Sequence, residues 1–185
     1  MKTTTFKKRL VNALAVTVIT TSSLGGVFLA SPLVMTTASA NADTIKITEK
    51  DAVKKFKKEF KDSRVTEIQL EKKGGSYRYE ISGMDNSKEH NMDVNAKSGK
   101  VIHKSSEKLD DDDQESALDL DKLITRKQAT KVAEKAANSG KAHNWSLSYD
   151  DGTPVWEIEV GHGHKQHDVK VNANNKKVIS NTQDD

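Results

Sequence analysis

The sequence predicts an α+β protein of two tandem small domains, each with one helix packed on an antiparallel sheet of three to four strands. Three observations predict it. Residues 47–102 return as residues 124–179 at a constant offset of 77, each copy opens on a capped stripe of helical period, and each closes on runs of period two. Eighteen of the 56 aligned pairs are identical, among them Thr48 and Thr125, Leu70 and Leu147, Gly75 and Gly152, His90 and His167, and the runs Val94-Asn95-Ala96 and Val171-Asn172-Ala173. These identities fall on caps, turns and one face of the strands, where a shared backbone restricts residue choice most.

The first forty residues stand apart from this repeat. Lys2, Lys7, Lys8 and Arg9 precede the mostly apolar stretch from Leu10 to Ala30, and Ala38-Ser39-Ala40 supplies a small-residue cleavage site, so residues 1–40 read as a secretory signal peptide. Leu10 to Ala30 is also about as long as a spanning helix. Asn12, Thr17, Thr20, Thr21, Gly25 and Gly26 weaken the anchor reading, which leaves contact with a membrane only through an uncleaved signal. The chain is therefore expected to be secreted or associated with the cell surface. It has no cysteine, which excludes both a disulfide scaffold and a lipidated cysteine after the signal. Removing the four bases of the signal leaves 26 Lys+Arg against 27 Asp+Glu, so no basic footprint for nucleic acid survives in the total.

In chain order, Ile45 to Lys61 is the first helix. Thr48 and Asp51 have capping-box spacing, and Ala52, Val53, Phe56 and Phe60 recur on one face with lysines outward. Val65 to Glu71 alternates, Gly74-Gly75 turns the chain, and Tyr77, Tyr79 and Ile81 alternate again, which makes a hairpin. Met92 and Val94 mark a third strand, and Val101-Ile102 opens a short fourth. Residues 45–104 are thus the first domain. Residues 105–121, with Asp110 to Asp113, Glu115, Asp119 and Asp121, form an acidic linker that lacks the spaced ligands and turn glycine of an EF-hand loop. Residues 122–181 are the second domain. Thr125 and Gln128 repeat the cap, Ala129, Val132, Ala133, Ala136 and Ala137 form the stripe, and alanines stand where the first copy has Phe56 and Phe60. Trp145 and Trp156 replace Ile68 and Tyr79, so both indoles are expected in the second core to restore the lost volume.

The closing motif Val94-Asn95-Ala96-Lys97-Ser98-Gly99-Lys100-Val101, the Ile47-Thr48 start and the Tyr77-x-Tyr79-x-Ile81 strand resemble the PepSY domain. The second copy follows the motif more loosely, with Lys176 where the family has Gly, and both copies carry Asn, at Asn95 and Asn172, where the family usually has Asp. The resemblance implies two such domains covering nearly all of the chain after the signal. It also implies the roles proposed for that family, which occurs in propeptides of secreted metallopeptidases and in stand-alone exported proteins that restrain peptidases.

Candidate chemistry is sparse. His162, His164 and His167 lie within six residues beside Gly161 and Gly163, a composition suited to Zn or another transition metal. Strand periodicity places His162 and His164 on one face and His167 on the other. Glu80 and Glu157 recur in both copies, but each sits between two core residues and so points to the wet face; paired-carboxylate catalysis is not expected, and no nucleophile has a base partner. No cofactor beyond that metal is expected. The chain therefore reads as an exported, non-enzymatic binding module. Its expected partner is a protein or peptide, with a secreted or membrane peptidase as the first candidate and no nucleic acid. The alternatives are a metal-binding surface protein using the histidine run, and an envelope-polymer binder using the net positive charge of each repeat.

Overall fold

The structure, a computed structural model, describes residues 45–109, 116–138, 140–162 and 165–184. The signal-peptide reading of residues 1–40 and the Asp110 to Asp113 run lie outside the described residues. The elements follow as α1 (Glu49–Glu59), β1 (Arg64–Lys73), β2 (Ser76–Met84), β3 (Lys88–Asn95), β4 (Val101–Lys108), α2 (Arg126–Ala137), β5 (Ala142–Asp150), β6 (Thr153–His162), β7 (Lys165–Asn172) and β8 (Val178–Asp184). Each repeat is one helix and a four-stranded antiparallel meander.

The expectation of two separate domains is corrected. All eight strands form one sheet in the order β4-β3-β2-β1-β5-β6-β7-β8, because β1 and β5 pair antiparallel at the join. One apolar cluster runs through both repeats, from Phe56 and Tyr79 in the first to Trp156 and Val169 in the second. A four-stranded unit has two edges, and pairing β1 with β5 buries one edge of each, which removes the unpaired N–H and C=O groups that such edges expose. Periodicity identified the strands but held no signal for this pairing.

Local chemistry explains the elements. Thr48 accepts from the Asp51 backbone N–H while Asp51 accepts from Thr48 N–H at 2.9 Å, and Thr125 and Gln128 repeat the exchange. This capping holds the Asp51 carboxyl below its ordinary value, chiefly through the Thr48 backbone N–H. Gly74 and Gly75 turn the first hairpin with φ of 59° and 86°, and Asp151 and Gly152 repeat the turn at 46° and 75°. Asn95 holds the turn before β4. Its side-chain oxygen accepts from the backbone N–H groups of Lys97 and Ser98 at 3.0 and 2.8 Å. Lys176 adopts φ 68° where Gly99 adopts 71°, so the second copy keeps the turn with a residue that strains to make it.

Two boundaries differ from the sequence reading. β4 runs to Lys108, so Ser105 to Lys108 belong to the sheet rather than to the linker. The far end of the linker is also tied down: Leu118 is buried and donates its backbone N–H to Val65 O at 2.8 Å.

Both indoles are in the core, Trp156 at 1% and Trp145 at 6% exposure. Tyr79 and Trp156 make the same bond in the two repeats. The Tyr79 hydroxyl donates to Ile47 O at 3.1 Å, and Trp156 Nε1 donates to Ile124 O at 2.9 Å, each fastening a central strand to the residue before the helix cap. Burial pushes the Tyr79 phenol up to about 12.

Candidate binding surface

The join between repeats has local two-fold character. Gln69 lies opposite Ser146, its own counterpart 77 residues on, while Ile68 faces Leu147 and Leu70 faces Trp145. Above this pair the two helix starts meet. Glu49 and Arg126, also counterparts, are the first residues of α1 and α2, and the buried Glu49 carboxylate accepts the Arg126 backbone N–H at 3.1 Å. A carboxylate here satisfies a free donor and complements the positive end of the α2 dipole. The Arg126 guanidinium lies 4.8 Å over the Trp145 ring, whose other neighbour, Tyr77, comes from the first repeat. The indole Nε1 donates to Thr130 Oγ1 at 2.8 Å. Trp145 therefore belongs to the join as much as to the second core.

With both helices on one face, the strands turn a polar face outward across the whole sheet. Arg78 meets Asp93 at 2.9 Å, Lys170 sits between Asp150 at 2.9 Å and Glu157 at 2.8 Å, and Lys73 pairs with Glu71 and Glu80. At the centre, Glu67 accepts from Gln69 at 2.7 Å and from Ser146 at 3.4 Å. Burial raises Glu80 above its ordinary value despite Lys73. Burial also acts against ionised Glu71, but the Lys73 ammonium and the hydrogen bond with Glu80 outweigh it and hold that carboxyl low. Glu80 and Glu157 do face the polar side, but β1 and β5 lie between their strands. Three strand spacings put them about 14 Å apart, too far to act on one bond.

The sheet ends on two different edges. β4 is exposed along its whole length, carries Lys104 and Lys108, and is clamped to α1 by the Lys104–Glu59 ion pair. β8 has no Lys, Arg or Pro from Val178 to Asp184. Between α2 and β8 runs an open groove of about 560 Å³ lined by Lys131, Val132, Lys135, Ala136 and Val178. Asn181 bridges its end, donating to Ala136 O at 2.9 Å and lying 2.9 Å from His167 Nδ1. In the first repeat the positions of Val132 and Ala136 hold Lys55 and Glu59, and that of Ala137 holds Phe60. The sequence reading placed Val132 and Ala136 in the core stripe; only Ala129, Ala133 and Ala137 are fully buried, so the stripe is wider than the core it covers. The signal available in the sequence was this exchange of charged for apolar residues between aligned helices.

The histidines separate. His164 lies outside the described residues, as does the side chain of His162, whose backbone closes β6 opposite Lys165. His167 stands opposite Val160, on the helix-covered side. Among the described residues no three His, Cys, Asp or Glu side chains cluster as metal ligands would. His90, the counterpart of His167, is a satisfied core group. It stacks on Phe60 with ring centroids 4.3 Å apart and pairs with Ser106 Oγ at 2.7 Å and Asp85 Oδ2 at 3.0 Å.

A model of the peptidase propeptide and YPEB domain, PepSY, matches residues 46–104 and again residues 123–182. The chain belongs to the PepSY family. Among solved structures, this tandem PepSY chain is similar to a Clostridium difficile 630 protein described as a candidate lipoprotein, at 27% identity and a TM-score of 0.70, covering 76% of this chain and 95% of that one. A second match, the YpmB protein from Bacillus subtilis, has 16% identity and a TM-score of 0.35 over 75% of this chain and 98% of that one, and carries no argument. No curated protein matches the chain. The two PepSY matches reach all eight strands and both helices. No helix among the described residues is long and apolar enough to cross a membrane.

Proposed function

We propose that this PepSY chain is an exported, non-enzymatic binding module that holds a protein partner at or outside the cell surface, with a secreted or membrane peptidase as the partner class. The observation that carries the reading is the double match to a domain described as a peptidase propeptide. Fusion of the two copies into one sheet supports it physically, because a polar face eight strands wide is of macromolecular rather than small-molecule dimensions. The similarity to a candidate lipoprotein supports the location. The test uses residues 39–185, a compact unit, as bait against the producing cell's envelope and culture supernatant, followed by inhibition kinetics on any peptidase recovered. Slowed cleavage at stoichiometric ratio is the expected result. Failure to bind or slow any envelope peptidase contradicts the proposal.

A second reading is metal binding at the histidine run. It is favoured by the first repeat, where positions 85 and 90 bring a carboxylate to a histidine at 3.0 Å; their counterparts are His162 and His167. Calorimetry with Zn²⁺ on the chain and on the H162A/H164A/H167A triple variant decides it. Micromolar binding lost in the triple is required.

A further inference from the structure

We propose that the groove between α2 and β8 is a docking site for an extended peptide segment that carries acidic and apolar side chains on one face, added to β8 as one more strand of the sheet. The proposal rests on the binding-module reading and assigns it a recognition site.

Three features converge there. β8 offers a row of main-chain donors and acceptors at an edge with no lysine or proline to block pairing. The residues of an added strand that face the helix side would meet Val132, Ala136 and Val178, an apolar floor. Lys131 and Lys135 line the same groove, and no carboxylate of the described residues pairs with either. They lie one helical turn apart, about 6 Å along the axis, close to the roughly 7 Å between alternate residues of a strand. An extended segment with acids among its groove-facing side chains therefore matches the lysines in sign and in spacing, while apolar neighbours cover the floor. Exposed Ile179, at 51%, adds a further apolar contact along the edge.

The opposite edge shows what a closed version looks like. There Lys54, Lys58 and Val101 match Lys131, Lys135 and Val178, but Lys55 and Glu59 stand where the groove has Val132 and Ala136, and Glu59 is already bound to Lys104 across the gap.

The test is fluorescence anisotropy with residues 39–185 and a labelled eight-residue probe, Val-Ser-Glu-Ser-Glu-Ser-Val-Ser, which puts two acids at alternate residues of one face between two valines, with Ser on the other face. A counterpart with Lys in place of Glu controls for charge. The Glu probe is expected to bind and the Lys probe not to. Ala136→Glu, which installs the first repeat's residue on a partly exposed position, and the double variant K131E/K135E are each expected to weaken binding about tenfold or more, the factor that about 1.4 kcal/mol produces. Circular dichroism confirms that both remain folded. Equal binding of the two probes, unchanged affinity in Ala136→Glu, or no binding of the Glu probe at about 1 mM overturns the site. Concentration-dependent dimerisation abolished by Ile179→Lys, without probe binding, also overturns it and gives the edge to a second copy. If a recovered peptidase is slowed equally by the chain and by Ala136→Glu, the groove assignment fails while the binding-module reading stands. Probe binding with no peptidase affected has the reverse meaning.

Discussion

The first repeat places its bulk on the helix and the second places it on the sheet. In the first, Phe56 fills the space under α1, and a Cβ on Gly83 would lie 2.9 Å from the Phe56 ring and 2.3 Å from Arg64 O. In the second, Ala133 replaces Phe56, Val160 replaces Gly83, and Trp156 and Trp145 replace Tyr79 and Ile68. Two cores of the same backbone are thus filled from opposite sides, as close packing requires when volume moves rather than disappears. The helices also differ toward the sheet edge, with Lys55 and Glu59 in the first repeat where the second has Val132 and Ala136. The small-residue helix leaves its inner face to indoles from the sheet, and its outer positions Val132 and Ala136, only partly buried against the core, line the open groove beside β8.

The largest expected effect comes from exchanging these solutions. Phe56→Ala gives the first repeat the helix of the second without its compensation, and should cost about 3–5 kcal/mol in urea unfolding. Ala133→Phe should cost about 1–3 kcal/mol through overpacking against Val160 and Trp156. A loss from Phe56→Ala no larger than that expected for an exposed site would break the comparison.

Next comes the join. Glu49→Ala removes the acceptor of the Arg126 N–H and should cost about 1–3 kcal/mol. Because it acts on the meeting of the repeats, it should lower both together, seen as a single shifted transition by tryptophan fluorescence and far-UV dichroism. Two separated transitions in the variant would show that the repeats unfold independently.

Both copies carry a threonine cap of the same geometry, with Asp51 as its partner in one and Gln128 in the other, so Thr48→Ala and Thr125→Ala should each cost about 1 kcal/mol. A clearly larger loss from Thr48→Ala would measure what the Asp51 charge adds to the shared geometry.

The smallest effect is pH-dependent and belongs to the first repeat. Asp85 is held well below its ordinary value of 3.8, chiefly by the His90 hydrogen bond and then by the hydrogen bonds from Ser87 and Lys88. A carboxylate with a depressed folded-state value stabilises above its unfolded value and loses that contribution as the pH falls below it. Asp85→Asn should therefore lower stability at neutral pH, where the carboxylate contributes, and flatten the loss of stability as the pH falls below about 4, so that variant and parent converge in acid. The counterpart position carries His162, so no matching loss is expected from the second repeat.

Much of the scaffold was legible because its signals are local. Capping residues, the glycine turns, period-two runs and the 77-residue offset each act within a few residues or by self-comparison, and they gave both helices and an antiparallel sheet of three to four strands in each repeat. The β1–β5 pairing was not legible, since Ile68, Leu70, Trp145 and Leu147 look the same whether their strand is an edge or a centre; only the backbone partner differs. Trp145 was placed in the right core for an incomplete reason, because its contacts with Tyr77 and Arg126 depend on that pairing. The length of β4 was underestimated because an exposed edge strand such as His103 to Lys108 has no apolar alternation to reveal it. The groove was hidden by treating every apolar position of α2 as covered.

Amide hydrogen exchange on residues 39–185 tests the central claim, that the repeats form one sheet. In a single sheet the amides of Ile68 to Leu70 and Trp145 to Leu147 that pair across the join belong to the most protected class, alongside β2 and β6, while outward amides of β4 and β8 exchange fast. Exchange of β1 and β5 at the rate of the outer edges would contradict it and return the molecule to two independent domains.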